Sequence, residues 1–232
     1  MQSPADRPLP DRAGRTILYP YFRLAHGFRW GGVENVPPTG PAILAANHQS
    51  FYDPVLISLA VDRRVIYLAW EYYCSMPVLG ALIRAFEAVP VDVDAPAPTA
   101  IPRMLQALKR GRLCGIFPEA ARTRDGLIAE PHQGVAVLAL RSGAPLIPVT
   151  ILGAYRAWPH GLPLPIPAPI SLSFGRPVPV DRIRASHSGP ERDLRAKIAC
   201  ELMLRIADGF ALLGRPDLTA ACRQRLASFY PA

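Results

Sequence analysis

Six short apolar runs, separated by turn residues or by stretches with helical periodicity, constrain this chain more than any other feature. They read PAILAAN (41–47), VIYLAW (65–70), AVPVDV (88–93), LCGIF (113–117), APLIPVTIL (144–152) and ISLSFG (170–175). Runs of this length and composition suit strands buried on both faces of a sheet. Helices are expected between them: one opening at Asp53-Pro54 with Asp as N-cap, then 78–86, 101–111 and 133–143, with a last one from Pro190 to Phe210. That alternation predicts a single α/β domain with a largely parallel central sheet flanked by helices.

The flanks read differently. Residues 1–14 are polar and Pro-rich, a tail, and residues 15–30 (RTILYPYFRLAHGFRW) alternate arginines with large apolar groups as a short amphipathic helix would, with Gly31-Gly32 to stop it. The expected organisation is therefore 1–30 as tail and amphipathic helix, 31–212 as the domain, and 213–232 as a C-terminal tail.

Charge and cysteine content narrow the function. The net charge is +8, carried almost wholly by arginine, with Lys109 and Lys197 the two lysines. Such a field favours polyanionic partners: acidic lipid headgroups, phosphorylated metabolites or nucleic acid. No basic run interleaves with aromatics, which sets nucleic acid aside. The four cysteines, Cys74, Cys114, Cys200 and Cys222, have no CxxC spacing, so neither disulfides nor a zinc site is expected and a reducing cytoplasm fits best. The N-terminus lacks the apolar core of a signal peptide, and no run reaches the roughly 18 apolar residues that span a bilayer. A membrane encounter would be peripheral.

In open parallel sheets ligands bind beyond the carboxyl ends of the strands. The stretch NHQSFYDP (47–54) falls there, directly after the first predicted strand. In isolation Asp53 caps its helix and His48 is a loop residue. Together they have another use: histidine takes a proton near neutral pH, and a carboxylate on its other ring nitrogen fixes the tautomer. There is no GxSxG elbow, and Ser50 lies in a capping segment. A base without a protein nucleophile points to activation of a substrate hydroxyl. Two further blocks follow strands. In FPEAART (117–123), Glu119 and Arg122 either form a surface pair or supply a fork for phosphate with a carboxylate to orient it. In GAPLIPV (143–149), Pro148 interrupts an apolar strand, as at an edge, a bulge or a pocket wall.

The ordered set NHQSFYD, FPE-x-x-R and P-x-x-PV resembles the glycerolipid acyltransferases, most closely the 1-acylglycerol-3-phosphate (lysophosphatidate) acyltransferases. The resemblance covers roughly residues 30–180, including GGVENVPPTGPAILAANH and SFGRPVPV. It implies transfer of a fatty acyl group from a coenzyme A or acyl-carrier-protein thioester to a glycerolipid hydroxyl, with no bound cofactor or metal. His48 would be the general base and Asp53 its orienting partner. Glu119 and Arg122 would contact the acceptor, Asn47, Phe117 and Pro118 would belong to the substrate site, and Pro148 would help shape the acyl wall. The implied partners are the acyl thioester, a lysophospholipid acceptor and the cytoplasmic surface of a membrane rich in anionic lipid.

Two departures from the family's pattern bear on the acceptor. Val93 stands where a phosphate-binding arginine is expected, and Ala120-Ala121 where Gly-Thr is usual. Arg84, Arg103 and Arg124 are candidates to restore the charge. For membrane contact the sequence offers the first helix and the aromatic segment 70–86, while the loop WPHGLPLPIPAPI (158–170) either lines a channel or crosses a sheet edge.

Overall fold

The computed structural model describes residues 9–70, 89–91, 100–159 and 161–230. The helix expected over 78–86, with Arg84, and the Val93 position lie outside the described residues. The order of elements is α1 (Leu9–His26), β1 (Arg29–Gly31), β2 (Ala42–Ala46), α2 (Asp53–Ala60), β3 (Val65–Trp70), β4 (Val89–Val91), α3 (Ala100–Lys109), β5 (Leu113–Ile116), α4 (Gly134–Ser142), β6 (Leu146–Leu152), α5 (Ala154–Ala157), β7 (Ser171–Phe174), α6 (Val180–Ala185), α7 (Glu191–Leu212) and α8 (Pro216–Phe229).

The six apolar runs form β2 to β7, and a seventh strand, β1, joins them in one sheet of order β1-β7-β6-β2-β5-β3-β4. Every neighbouring pair is parallel except β6/β7. The largely parallel α/β architecture is as the sequence predicts; three details are not. The helix expected over 15–30 begins at Leu9 and ends at His26, where Gly27 turns left-handed, and Arg29–Gly31 run as an edge strand beside β7. Phe28, wholly buried, draws that segment into the sheet. The expected C-terminal tail forms α8, an antiparallel partner of α7 that buries Cys222 and Leu226. Finally, Asp53 is the first helical residue of α2 rather than its N-cap, which is Tyr52.

The crossovers fix where a ligand can bind. β2 leads through α2 to β3, two places along with β5 between them; β5 leads through α4 to β6, two places in the other direction with β2 between them. Right-handed crossovers in opposite directions put the two helices on opposite faces. Accordingly Ala42, Leu44 and Ala46 of β2 pack with Leu56 and Ile57 of α2, whereas Ile43 and Ala45 pack with Val135 and Leu138 of α4. The chain leaves β2 and β5 in divergent directions, and the crevice between them opens at their carboxyl ends.

The second face is closed by α7. Thr150 of β6 donates from Oγ1 to Ile206 O of α7 (2.7 Å), and Gly209 lets the helix sit on that threonine. An added Cβ at Gly209 would lie 1.9 Å from Thr150 Oγ1. Alanine ordinarily favours a helix over glycine by about 1 kcal/mol, but here the clash with a buried, hydrogen-bonded side chain dominates. We expect Gly209→Ala to destabilise the protein by about 1–3 kcal/mol, measured by urea unfolding.

Candidate active site

The loop leaving β2 carries Asn47, His48, Gln49 and Ser50; the loop leaving β5 carries Phe117 to Thr123. The first is anchored beneath by Asn47, a buried amide that replaces a ladder rung: its Nδ2 donates to Ile151 O (2.9 Å) and its Oδ1 accepts from Ile151 N (2.7 Å). Asn47 is therefore a scaffold residue that turns the chain off β2.

His48 is one-fifth exposed, and its Nδ1 lies 2.7 Å from Asp53 Oδ2. The same oxygen accepts the backbone N–H groups of Gln49 (2.5 Å) and Ser50 (2.8 Å). Asp53 is fully buried, and its Oδ1 makes no hydrogen bond. An oxygen that already accepts two N–H groups is an acceptor to the imidazole too. Nδ1 therefore carries the proton, and Nε2 is left with its lone pair. The first turn of α2 places the aspartate five residues on within reach of its histidine, and its negative charge sits favourably at that N-terminus.

The β5 loop grips the backbone of His48 from both sides. His48 N–H donates to Glu119 Oε1 (2.8 Å), and His48 O accepts from Thr123 N–H (2.8 Å). The other carboxyl oxygen of Glu119, Oε2, accepts from Ala129 N–H (2.7 Å). Thr123 Oγ1 in turn donates, toward Leu127 O (2.8 Å) and Asp125 Oδ1 (3.1 Å), and accepts Gly126 N–H (3.0 Å). Glu119 is buried, and burial pushes its carboxyl up to about 8, against its two N–H partners. Its place is beneath the site as a brace.

Phe117 lies face to face with the imidazole, ring centroids 4.1 Å apart and planes within 17°. Tyr67 continues the stack, 6.2 Å from Phe117 at 12°. Tyr67 is buried and pairs its hydroxyl with Ser58 Oγ of α2 (3.2 Å), and burial raises its phenol well above the ordinary value. The Tyr67 ring rests on Gly115, where an added Cβ would meet it at 2.2 Å. Sequence reasoning had no place for Tyr67, Thr123 or Gln49 here; the glycine inside the β5 run was the available signal of a close approach.

Arg122 stands over the Phe51 ring, with Cζ 3.6 Å from its centroid, and among the described residues no carboxylate pairs with it. The cation is held half-buried by the ring beside the histidine loop, its edge free for an anion. Pro118 is buried, and its carbonyl accepts His132 N–H (2.8 Å). Pro148 sits apart from these residues. It occupies β6 where the ladder to β7 ends: its carbonyl accepts Gly175 N–H (2.8 Å), and the N–H it lacks costs only the last rung. The pleat of β6 sends Ile147, Val149 and Ile151 to the α2 face and Leu146 to the other, so Pro148 points away from α2, against Gly175. Of the alternative cations, Arg124 and Arg103 are both exposed, and Tyr155 donates to Arg124 O (2.7 Å).

The FPEAART turn departs from ease at one point. Ala120 has φ 58°, the one non-glycine with positive φ among the described residues. Left-handed backbone costs an alanine about 1–2 kcal/mol.

A family model described as Acyltransferase matches residues 27–152, a span that holds the whole His48–Asp53–Glu119–Arg122 constellation. The chain is 26% identical over 147 residues to the chloroplastic 1-acyl-sn-glycerol-3-phosphate acyltransferase LPAT1 of Arabidopsis thaliana, a match covering 62% of this chain and 40% of that protein. It is likewise 26% identical over 131 residues to the 1-acyl-sn-glycerol-3-phosphate acyltransferase of Bacillus subtilis (strain 168), covering 56% and 65%. The matched region thus spans less than two thirds of each relative's length. Among solved structures, the 1-acyl-sn-glycerophosphate (LPA) acyltransferase PlsC of Thermotoga maritima superimposes with a TM-score of 0.67 at 26% identity, over 81% of this chain and 74% of that one.

Two stability measurements test this geometry. Ala120→Gly should relieve the left-handed strain and stabilise the fold by up to about 1 kcal/mol despite the entropy of glycine, seen as a raised Tm. For Glu119, the folded carboxyl holds its proton up to about 8 whereas an ordinary glutamate releases it near 4.5. Its contribution is complete below the lower value and is lost as pH rises through the higher. The stability gap between wild type and Glu119→Gln should therefore narrow from about pH 5 to about pH 9 in urea titrations.

Proposed function

Because the chain belongs to the acyltransferase family, we propose that it moves a fatty acyl group from a coenzyme A or acyl-carrier-protein thioester to the hydroxyl of a lysophosphatidate-like glycerolipid, a step of phospholipid biosynthesis. The observation that carries this reading is the 2.7 Å contact between His48 Nδ1 and the buried Asp53 Oδ2, which leaves Nε2 as a base facing the strand-end crevice.

In the proposed reaction the acceptor hydroxyl donates to Nε2 and attacks the thioester carbonyl as its proton passes to the imidazole. Asp53 stabilises the imidazolium that forms. Collapse of the tetrahedral adduct breaks the C–S bond, and the departing thiolate takes the proton from Nε2 to leave as free thiol. Atoms balance without a covalent enzyme intermediate or a bound cofactor. The Phe117 ring keeps the imidazole from turning out of the line of attack. Arg122, steadied over Phe51, binds the phosphate of the acceptor. Glu119 fixes the His48 backbone and so acts on the acceptor through the histidine. A membrane-partitioning acceptor and the net charge of +8 support peripheral binding at the cytoplasmic surface of an anionic membrane, with the exposed Ile17 and Leu24 of α1 toward it. No helix among the described residues is long and apolar enough to cross a bilayer.

Thiol release from a long-chain acyl-CoA or acyl-ACP, with a panel of lipid acceptors, tests the reading. Release should depend on lysophosphatidate, and His48→Ala should lose about 10²–10⁴-fold in kcat while keeping its fold. Asp53→Asn should lose comparable activity with a lowered Tm, since three hydrogen bonds converge on its carboxylate. Release without any acceptor would mean hydrolysis, and full activity of His48→Ala would overturn the mechanism.

A further inference from the structure

The loop between α5 and β7 has a composition that neither the fold nor the acyl-transfer site explains. Residues 162–169 read LPLPIPAP, a proline at every second position. Leu162, Leu164 and Ile166, between the prolines, are 37%, 73% and 52% exposed. Single exposed leucines are ordinary on a protein surface. Three in five residues, on a loop that is otherwise proline, form a patch.

The backbone of this patch is unusual in a second respect. Proline removes the N–H at 163, 165, 167 and 169. Of the donors that remain, Leu162 N–H reaches Pro159 O (3.3 Å) and Ile166 N–H reaches Ala157 O (2.8 Å), while the Ala168 carbonyl accepts from His26 Nδ1 (3.0 Å). The Trp158 indole N–H spends itself on Leu162 O (2.9 Å). Among the described residues, six of the eight backbone positions from 162 to 169 thus offer no unpaired N–H, the exceptions being Leu164 and Ala168. A loop in water has no need to hide its donors; a loop entering a poorly hydrating phase does, because each unsatisfied group there is costly.

The surroundings supply the charge. No aspartate or glutamate occurs in the sequence over residues 131–180 or 12–33. Of the arginines in these stretches, Arg156 and Arg29 flank the loop, whereas Arg141, Arg176 and Arg15 stand toward the other rim of the sheet. Arg156 is exposed on the helix leading into the loop, and Arg29 Nε donates to Ser171 Oγ just beyond it. The loop also joins the first helix, since Ile170 N–H donates to His26 O (2.9 Å). At its other end Trp158 packs on Tyr52 and Phe51, ring centroids 5.1 and 5.5 Å apart, next to the aspartate and under the Arg122 cation.

We propose that residues 161–169 are a bilayer-inserting loop, which seats Leu164 and Ile166 at the headgroup–acyl boundary of an anionic membrane beside the acyl-transfer site. The inference deepens the reading of the protein as a membrane-surface acyltransferase and rests on it. The loop lies in the interface and does not span it.

The test separates binding from turnover. Flotation of the full chain with phosphatidylcholine vesicles containing phosphatidylglycerol should show partition weakened at least about tenfold in Leu164→Glu/Ile166→Glu. Transfer to an acceptor dispersed in detergent should be unchanged. Circular dichroism and Tm establish that the variant is folded, and Leu164→Ser/Ile166→Ser provides a milder pair expected to shift partition the same way. Undiminished partition of the folded variants would overturn the loop's role, and if it came with a raised KM for long-chain donors the loop would be an acyl-channel wall instead. A wild type that transfers acyl groups in detergent but does not float would overturn this inference alone. A wild type whose flotation depends on the loop, but which transfers to no acceptor, would support the loop and overturn the enzymatic reading.

Discussion

The site depends on a main-chain grip. His48 is the first residue able to point into the crevice after β2 ends, and both of its backbone hydrogen-bonding groups are held by the chain leaving β5, the amide by Glu119 and the carbonyl by the amide of Thr123. A hydrogen bond to a neutral carboxyl group typically contributes about 0.5–1.5 kcal/mol, and Glu119 engages both oxygens with backbone. The consequence is geometric. With main chain fixed at Asn47 by Ile151 and at His48 by the neighbouring loop, the imidazole has little left to choose, and Phe117 and Asp53 settle the remaining rotation.

The grip needs β2 and β5 to be neighbours, which the crossover pattern secures. Strands adjacent in the sheet but distant in the chain send their loops to the same rim, so a carboxylate 71 residues from the histidine can serve as its brace. It also needs a tight reversal between Glu119 and Arg122, and this chain makes it with a left-handed alanine. The strain at Ala120 is the local cost of turning Arg122 back over Phe51.

Much of this was legible beforehand. The apolar runs gave six strands because strands buried on both faces must be apolar throughout, and His48, Asp53, Glu119 and Arg122 fell at strand ends where parallel sheets bind ligands. What escaped was held by tertiary contact. Arg29–Gly31 are three residues with no period of their own, and become a strand because β7 pairs with them. The segment after residue 213 has weak amphipathy and is made helical by α7. Asn47 and Glu119 look like substrate ligands in one dimension; in three, their polar atoms are spent on Ile151, His48 and Ala129. Tyr67 was invisible because a tyrosine within an apolar strand reads as core, and only the register of β3 against Gly115 brings it under Phe117.

Arg15, near the start of the described chain, donates from its guanidinium to the carbonyls of Ser58, Leu59 and Val61 at the far end of α2 (2.7, 3.0 and 2.9 Å). At the near end of α2, Tyr21 and Tyr52 share a hydrogen bond of 2.8 Å. The first helix is thereby splinted along the helix that begins with Asp53, and Arg15 answers carbonyls that a helix terminus otherwise leaves to water. A leading segment attached this way is no handle to be trimmed or exchanged at will: shortening it past Arg15 uncaps the helix on which the aspartate stands, so the arm and the chemistry can only be inherited together.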